Sequence, residues 1–543
     1  MLSYQLGRFQ DDEKLKSQLE GLFHSTNHKL FVNTSGSGKT RMVLEHLCTR
    51  WGLYFTCLED SRIGSQDVAC AIKRIANNTS FSLFLPSAPS LEVSARDMRD
   101  ETREQVLLKR IRDFQATAEA ESFRLALQRN ELIADCELLV VFLARLQVLQ
   151  RFSATLQRMR DDTERLVRKR NWLHLQLHPD LLFSQDESGN DIFIQLSDLI
   201  NAVLSQEGLD RSLDWKKEVL QNLSRRIISD IKATLGISLA SQEDPKTLFL
   251  AFDECQYAAK EMPFVFRSQT WTEIRPFLRY LAIGFTAVFR GSELPQCSFI
   301  FTGTGLSRNI IDEALSLIVV KHGMVNDITQ TGSFDEKAAQ FEYLKKFFPF
   351  TDQEWKRSDL KCLTDRIFFW LRGWHRFTAE FISVVLQNAY SNLNELLNAY
   401  IESVAEFEPG DYHAIKRIPP TIRFPPPAFS FDRLSDMMKE KIKDICYSYL
   451  LTSKSDSFLG TDESEYMECG FARFQFSEGK TILAIDEPLV LPACAVWFDK
   501  RPAHTLYKYV ADRIQVRSYI LIFLFNVVHT FFILQETFVA HRS

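Results

Sequence analysis

The chain has 543 residues, 45% apolar and 25% charged, which excludes a disordered protein and exceeds one ordinary core, so roughly two to four domains are expected. A formal net charge of −5 gives no electrostatic case for broad nucleic-acid binding, because acids accompany the local basic runs. Ten cysteines with no Cys-x-x-Cys pair and no His/Cys cluster at zinc spacing argue against a disulfide scaffold or zinc module and fit a reducing compartment.

Residues 1–29 read as a helical lead-in. Met1-Leu2-Ser3-Tyr4-Gln5 has neither the basic start nor the apolar run of a secretory signal, so an intracellular protein, cytoplasmic or nuclear, is expected. Leu30-Phe31-Val32-Asn33-Thr34-Ser35-Gly36-Ser37-Gly38-Lys39-Thr40 then reads as a strand, a glycine-bearing turn and a helix start, the layout of a triphosphate-binding P-loop. Gly36 and Gly38 let the backbone curl so that successive N–H groups face phosphate oxygens. Lys39 would reach the β- and γ-phosphates, and the Thr40 hydroxyl would ligate Mg²⁺ at the positive end of the following helix. The expected cradle is Asn33, Thr34, Ser35, Gly36, Ser37, Gly38, Lys39, Thr40 and Arg41. Asn33 stands where the motif has its first glycine, and Asn tolerates left-handed backbone angles, so the loop is expected to close. The competing reading is a polar turn in another fold. Val43, Leu44, Leu47 and Cys48 at helical spacing, and a next strand over Gly52–Cys57, favour the P-loop.

A long gap follows. From Ala95 to about Leu177 there is almost no Gly or Pro, and Leu132, Ile133, Leu138, Leu139, Phe142, Leu143, Leu146 and Leu149 recur at helical spacing, predicting a helical hairpin or coiled-coil-like arm. Its arginines, Arg151, Arg158, Arg160, Arg165, Arg168 and Arg170, would grip a partner or RNA, or simply form a solvated face with Asp161, Asp162 and Glu164. Further helices are expected over 190–240.

Leu248-Phe249-Leu250-Ala251-Phe252 running into Asp253-Glu254 describes a buried central parallel strand ending at a ligand-binding edge. Asp253 would hold Mg²⁺ through water and Glu254 would polarise the attacking water; a solvated acidic turn is the alternative. Ser298–Gly305 reads as a third strand, whose Thr302 or Thr304 would sense a γ-phosphate or merely form a turn. In Leu371-Arg372-Gly373-Trp374-His375-Arg376-Phe377, Arg376, in preference to Arg372, would reach back to phosphates, against the default of a surface arginine.

FVNTSGSGKTRMVLEHLCTRWGLYF, LFLAFDECQ, SFIFTGTGLS and LRGWHRFTAEFI together resemble the AAA-like and STAND-like P-loop ATPases, and more narrowly the NTPase module of fungal Crinkler-type proteins. Glu468–Phe474 and Ile485–Leu489 are similar to the segment that succeeds that module in such fungal chains. The resemblance spans segments from about residue 30 to 497. It implies Walker roles for Lys39, Thr40, Asp253 and Glu254, a sensor-like role for Arg376, ATP with Mg²⁺ as cofactors, and a helical lid over 335–405. Many such proteins carry a nuclease-like domain; none is legible after residue 430, and this absence, with Asn33, departs from the family pattern.

Glu408–Pro427 is a linker by composition, and 430–515 mixes helix and short strands in a winged-helix-like module. Ser518–Leu534 is a short apolar run flanked by basic residues. It reads as a tail anchor, a buried C-terminal helix, or translated non-coding sequence.

The expected fold is therefore α/β: a three-layer P-loop NTPase core with a parallel sheet, a long helical insertion, a helical lid and a small C-terminal α+β module. Its segments are 1–90 and 181–330 for the NTPase, 91–180 for the insertion, 331–407 for the lid, 408–429 for the linker, 430–515 for the module and 516–543 for the tail. The expected activity is a Mg²⁺-dependent ATPase switch acting on a protein partner or on a second copy through the arm. The alternatives are a nucleotide-gated scaffold with little turnover and a P-loop small-molecule kinase.

Overall fold

The computed structural model describes residues 5–24, 27–85, 103–158, 165–180, 191–206, 212–234, 247–262, 265–267, 275–289, 296–304, 311, 325–329, 331–413, 422–452, 457–458, 466–467, 469–477, 480–485 and 487–501. The expectations for the 516–543 tail, for Arg160, Asp161, Asp162 and Glu164, and for part of the linker fall outside them. Among the described residues no helix is long and apolar enough to cross a membrane. The chain divides into two compact units. One holds Leu2–Val32 with Thr40–Ile328; the other holds Asn33–Lys39 with the chain from Thr329 onward.

The first unit is built on five strands, β1 (His28–Val32), β2 (Gly52–Thr56), β3 (Thr247–Asp253), β4 (Gln296–Gly303) and β5 (Val325–Ile328). They pair in the order β2-β3-β4-β1-β5, and every pairing is parallel. All carboxyl ends thus lie on one edge, where ligands of open α/β sheets bind. β3 is buried along its whole length, as its unbroken apolar run requires of a strand covered on both faces.

Side-chain alternation sorts the sheet into two apolar faces. On one face Phe31, Tyr54, Phe249, Ala251 and Ile300 pack against α1 (Glu13–Phe23), α2 (Lys39–Thr49) and α6 (Arg165–Leu177). On the other, the Phe55, Phe252, Phe299 and Phe301 rings form a stacked series, which Phe285 of α10 (Leu278–Val288) and Phe142 join. Helices therefore cover both faces of an all-parallel sheet, and the fold is α/β.

The insertion differs from the expected arm. Phe142 belongs to α5, a 41-residue helix over Ala118–Arg158, about 60 Å long. Its N-terminal end does form a hairpin with α4 (Arg103–Gln115), where Phe123 and Leu127 meet Ile111 and Phe114. Its middle is not an exposed arm: every residue from Leu138 to Leu146 is buried. Val140, Val141 and Ala144 fill the positions between the leucine stripe, so the helix is buried all round, with Arg145 the one charged residue between Leu138 and Leu146, and sits inside a core. There it packs against α3 (Asp67–Asn77), α7 (Ile192–Leu204), α8 (Leu213–Thr234) and α10.

The second unit contains helices α11 (Lys337–Lys345), α12 (Ser358–Leu371), α13 (His375–Gln387) and α14 (Leu393–Ala405), in the region expected to be helical. The Pro-rich stretch is partly packed rather than a free spacer. Ala428 N donates to Val404 O (3.0 Å), Ser430 N donates to Cys469 O (3.1 Å), and Phe429 and Phe431 are buried. Beyond it come α15 (Asp436–Thr452), a three-stranded antiparallel sheet β6-β8-β7 (Ser457–Phe458, Lys480–Ala484, Arg473–Ser477) and α16 (Val490–Asp499).

Candidate nucleotide site

In the first unit, β3 delivers Asp253 to the carboxyl edge of the sheet, and three hydroxyls converge on its carboxylate. Tyr54 Oη donates to Oδ2 (2.7 Å), Thr40 Oγ1 lies 3.0 Å from Oδ2 and 3.2 Å from Oδ1, and Thr302 Oγ1 donates to Oδ1. The arrangement follows from register. Thr56 pairs with Asp253 and Phe252 with Phe301, so Tyr54, Asp253 and Thr302 project from the same sheet face that α2, carrying Thr40, covers. Burial first, and then the neighbouring Asp253 charge, push the Tyr54 phenol well above its ordinary value, so Tyr54 stays a donor. Asp253 is itself 5% exposed, so its carboxylate oxygens take their hydrogen-bond partners from these side chains rather than from bulk water.

Glu254 follows in a left-handed conformation (φ 56°, ψ 41°), an uncommon state for a glutamate and a form of strain that clusters at functional sites. Its carboxylate accepts from Gln256 Nε2, and Gln256 Oε1 in turn accepts from Thr304 N (3.2 Å). Thr302 and Thr304 are thus both drawn to the β3 end, Thr302 by its hydroxyl and Thr304 by its amide.

In the second unit, Asn33–Lys39 forms a tight loop. Gly36 (φ 78°) and Gly38 (φ 96°) take left-handed angles that a side chain would strain. The loop closes with Asn33, as expected, but not through a left-handed angle: its φ is not positive. The side chain does the work instead. Oδ1 accepts from Thr34 N (2.8 Å) and Nδ2 donates to Thr329 O (2.8 Å), which ties the loop start to the chain leaving β5. Lys39 Nζ donates to Asn33 O (2.8 Å) and Thr34 O (2.6 Å), folding the ammonium under its own loop. The Thr34 hydroxyl lies 3.5 Å from Met467 O, while Ser35 and Gly36 are exposed. The Ser37 Oγ is buried and has no hydrogen-bond partner among the described residues, and neither has the buried Thr331 Oγ1.

The start of α13 lies directly on this loop. Arg376 N donates to Gly36 O (3.1 Å), and a Cβ on Gly36 would overlap the Arg376 side chain. The His375 ring lies against Gly38, with Nδ1 3.2 Å from Ser37 O. The Arg376 guanidinium is held by Glu380 (2.7 Å), whose other oxygen accepts from Tyr400 Oη (3.1 Å).

Arg41 is not part of either group. Its guanidinium binds Glu45 Oε1 (2.6 Å) and Gln5 O (2.9 Å) and lies over the Phe9 ring, fastening the N-terminal lead-in to α2. Sequence reasoning missed Tyr54, His375 and Met467. Tyr54 was findable, since period-two alternation puts it on the Asp253 face once β2 and β3 are neighbours. Nothing local marks Met467.

Asp253 and Thr40 supply one carboxylate and one hydroxyl. Among the described residues no group of three or more His, Cys, Asp or Glu side chains could hold a metal alone. That donor set fits Mg²⁺, which keeps waters and takes its remaining oxygens from substrate phosphates. Compared with known proteins, the chain matches no family model, no curated protein and no solved structure.

Proposed function

We propose that the chain binds a nucleoside triphosphate with Mg²⁺ on Asn33–Thr40 and hydrolyses it, working as a switch on a macromolecular partner. The observation that carries this reading is the convergence of Thr40, Tyr54 and Thr302 on Asp253, with Thr40 next in the chain to Lys39 on α2. ATP is preferred on the P-loop ATPase resemblance, which also supplies the idea of a switch. The two left-handed glycines and the orphaned Ser37 hydroxyl support an anion at the loop, because buried polar atoms in folded proteins are otherwise partnered.

In this mechanism Lys39 exchanges its two loop carbonyls for phosphate oxygens, so binding removes one set of charge-assisted hydrogen bonds as it makes another. Thr40 and Asp253 are the residues that would hold Mg²⁺, which supplies charge neutralisation on the phosphates. Tyr54 and Thr302 orient the Asp253 carboxylate and keep it hydrogen-bonded. Glu254, fixed by its own backbone and by Gln256, accepts a proton from water. A nucleotide-gated scaffold with little turnover is the second reading. It is favoured by the grip of Gln256 on the Glu254 carboxylate, which competes with water for that group.

The test uses the full chain with Mg²⁺ and ATP. Lys39→Ala is expected to weaken nucleotide binding by roughly a hundredfold, and Glu254→Gln to keep binding while lowering phosphate release on the order of a hundredfold. Release unaffected by Glu254→Gln would remove that residue from the chemistry. Absence of binding by folded wild-type protein would sink the reading altogether.

A further inference from the structure

The backbone step from Gly373 to Arg376 is held from the far end of the sequence. Gly373 has φ 91°, and the position a Cβ would take there is filled by the Glu487 carboxylate. Glu487 Oε1 accepts from Trp374 N (3.1 Å), the residue preceding the first turn of α13, where a carboxylate also complements the positive end of the helix. Arg473 Nε lies 3.4 Å from the same Glu487 oxygen, and Arg473 Nη2 donates to Asp335 Oδ1 (3.2 Å). Asp335 adjoins Phe334, whose backbone pairs in both directions with Gly373 (2.8 and 3.3 Å). Glu487 is 3% exposed and Arg473 9%, so the link is an enclosed one, of the kind that loses most when one partner is removed.

One residue beyond this anchor, His375 and Arg376 make their contacts with the loop. Both reach carbonyls, Ser37 O and Gly36 O, so they hold the loop from its acceptor side and use none of the N–H donors that an anion needs. The His375 ring must carry its proton on Nδ1 to donate to Ser37 O, and burial lowers its pKa and keeps it neutral. Met467 O touches the loop at Thr34 as well, so two separate points of the C-terminal segment bear on Asn33–Lys39.

We propose that Glu487 is a positioning residue for the nucleotide loop. Clamped by Arg473 and bonded to Trp374 N, it presses the His375–Arg376 step against Gly36 and Ser37 and so presets the loop for phosphate. By linkage, whatever the hold of Glu487 on this step adds to nucleotide affinity, bound nucleotide adds to that hold, which gives the Glu487 contact a way to report occupancy. The proposal rests on the reading of Asn33–Thr40 as a phosphate site, and its test therefore has a readout independent of nucleotide.

That readout is amide hydrogen exchange of the peptide covering residues 33–39 in the full chain, followed by binding of ATP with Mg²⁺. Glu487→Ala is expected to raise exchange in this peptide about tenfold and weaken ATP binding about tenfold. Glu487→Gln, which keeps an acceptor for Trp374 N, should restore most of both. Trp355→Ala, a core truncation elsewhere in the same unit, serves as the control for general destabilisation and should leave the loop peptide at its wild-type rate. The proposal is overturned if folded Glu487→Ala leaves loop exchange unchanged, if Trp355→Ala raises it equally, or if Glu487→Ala binds ATP more tightly, which would make the contact a cover. If wild-type protein binds no nucleotide while loop exchange still follows Glu487, the phosphate-site reading fails and the clamp stands.

Discussion

Asn33 shapes its loop through its side chain rather than through its backbone conformation. It satisfies Thr34 N and Thr329 O through its amide, two groups that glycine would leave to find other partners. Restoring the motif with Asn33→Gly is thus expected to leave ATP affinity no better and to lower stability by about 1–3 kcal/mol, as chemical denaturation would record. A gain in affinity would show that the amide is incidental. A second single-residue effect lies at His28 on β1, whose Nδ1 accepts from Phe299 N (3.1 Å) and is therefore unprotonated. Burial, and secondarily the Lys29 charge, lower its pKa to about 4 from an ordinary 6.5. A folded value below the unfolded one means the unfolded chain takes up the proton first. The stability His28 contributes is whole above pH 6.5 and drains away as pH falls to about 4, a loss on the order of 3 kcal/mol. His28→Gln keeps an acceptor that does not titrate. Urea unfolding at about pH 7 and about pH 5 should then show a smaller difference than in the parent; an identical difference would clear His28 of the effect.

At the scale of elements, α5 and α3 are joined by an ion pair with no access to water. Arg145 Nε and Nη2 bind both oxygens of Asp67 (2.6 and 3.0 Å), and the guanidinium lies over the rings of Phe193 (4.0 Å) and Phe55 (5.0 Å). Arg145→Ala strands a carboxylate in the core and is expected to cost about 3–5 kcal/mol, whereas Arg145→Met with Asp67→Ala together should cost much less. Equal losses in the single and double variants, measured by thermal or urea unfolding, would show that packing rather than charge is at stake. The same helix shows where sequence reading stops. β1 to β4 were legible because apolar runs of strand length end in, or run into, asparagine, threonine, acid or glycine, and α2 because its stripe follows Lys39. The burial of α5 was not, since the eight stripe residues alone are those of an amphipathic arm. Only Val140, Val141 and Ala144, small and apolar between the stripe positions, mark the side that other helices cover.

Over the whole molecule, the residues of the loop were readable and their supports were not. GSGKT and the Asp253-Glu254 pair announce themselves by local pattern, and the structure brings Thr40, Asp253 and Thr302 together. Met467 reaches the loop, Glu487 the start of α13 and Arg473 the Asp335 carboxylate, each across more than a hundred residues, by contacts no spacing rule encodes. The parallel sheet carries the same long-range character into biosynthesis. β1 precedes both of its neighbours, β4 and β5, which begin only at Gln296 and Val325. At typical elongation rates the segment His28–Val32 waits roughly 15–60 s with neither edge paired. During that interval the nascent chain holds an apolar strand with no sheet neighbour, open to non-native pairing until β4 has been made.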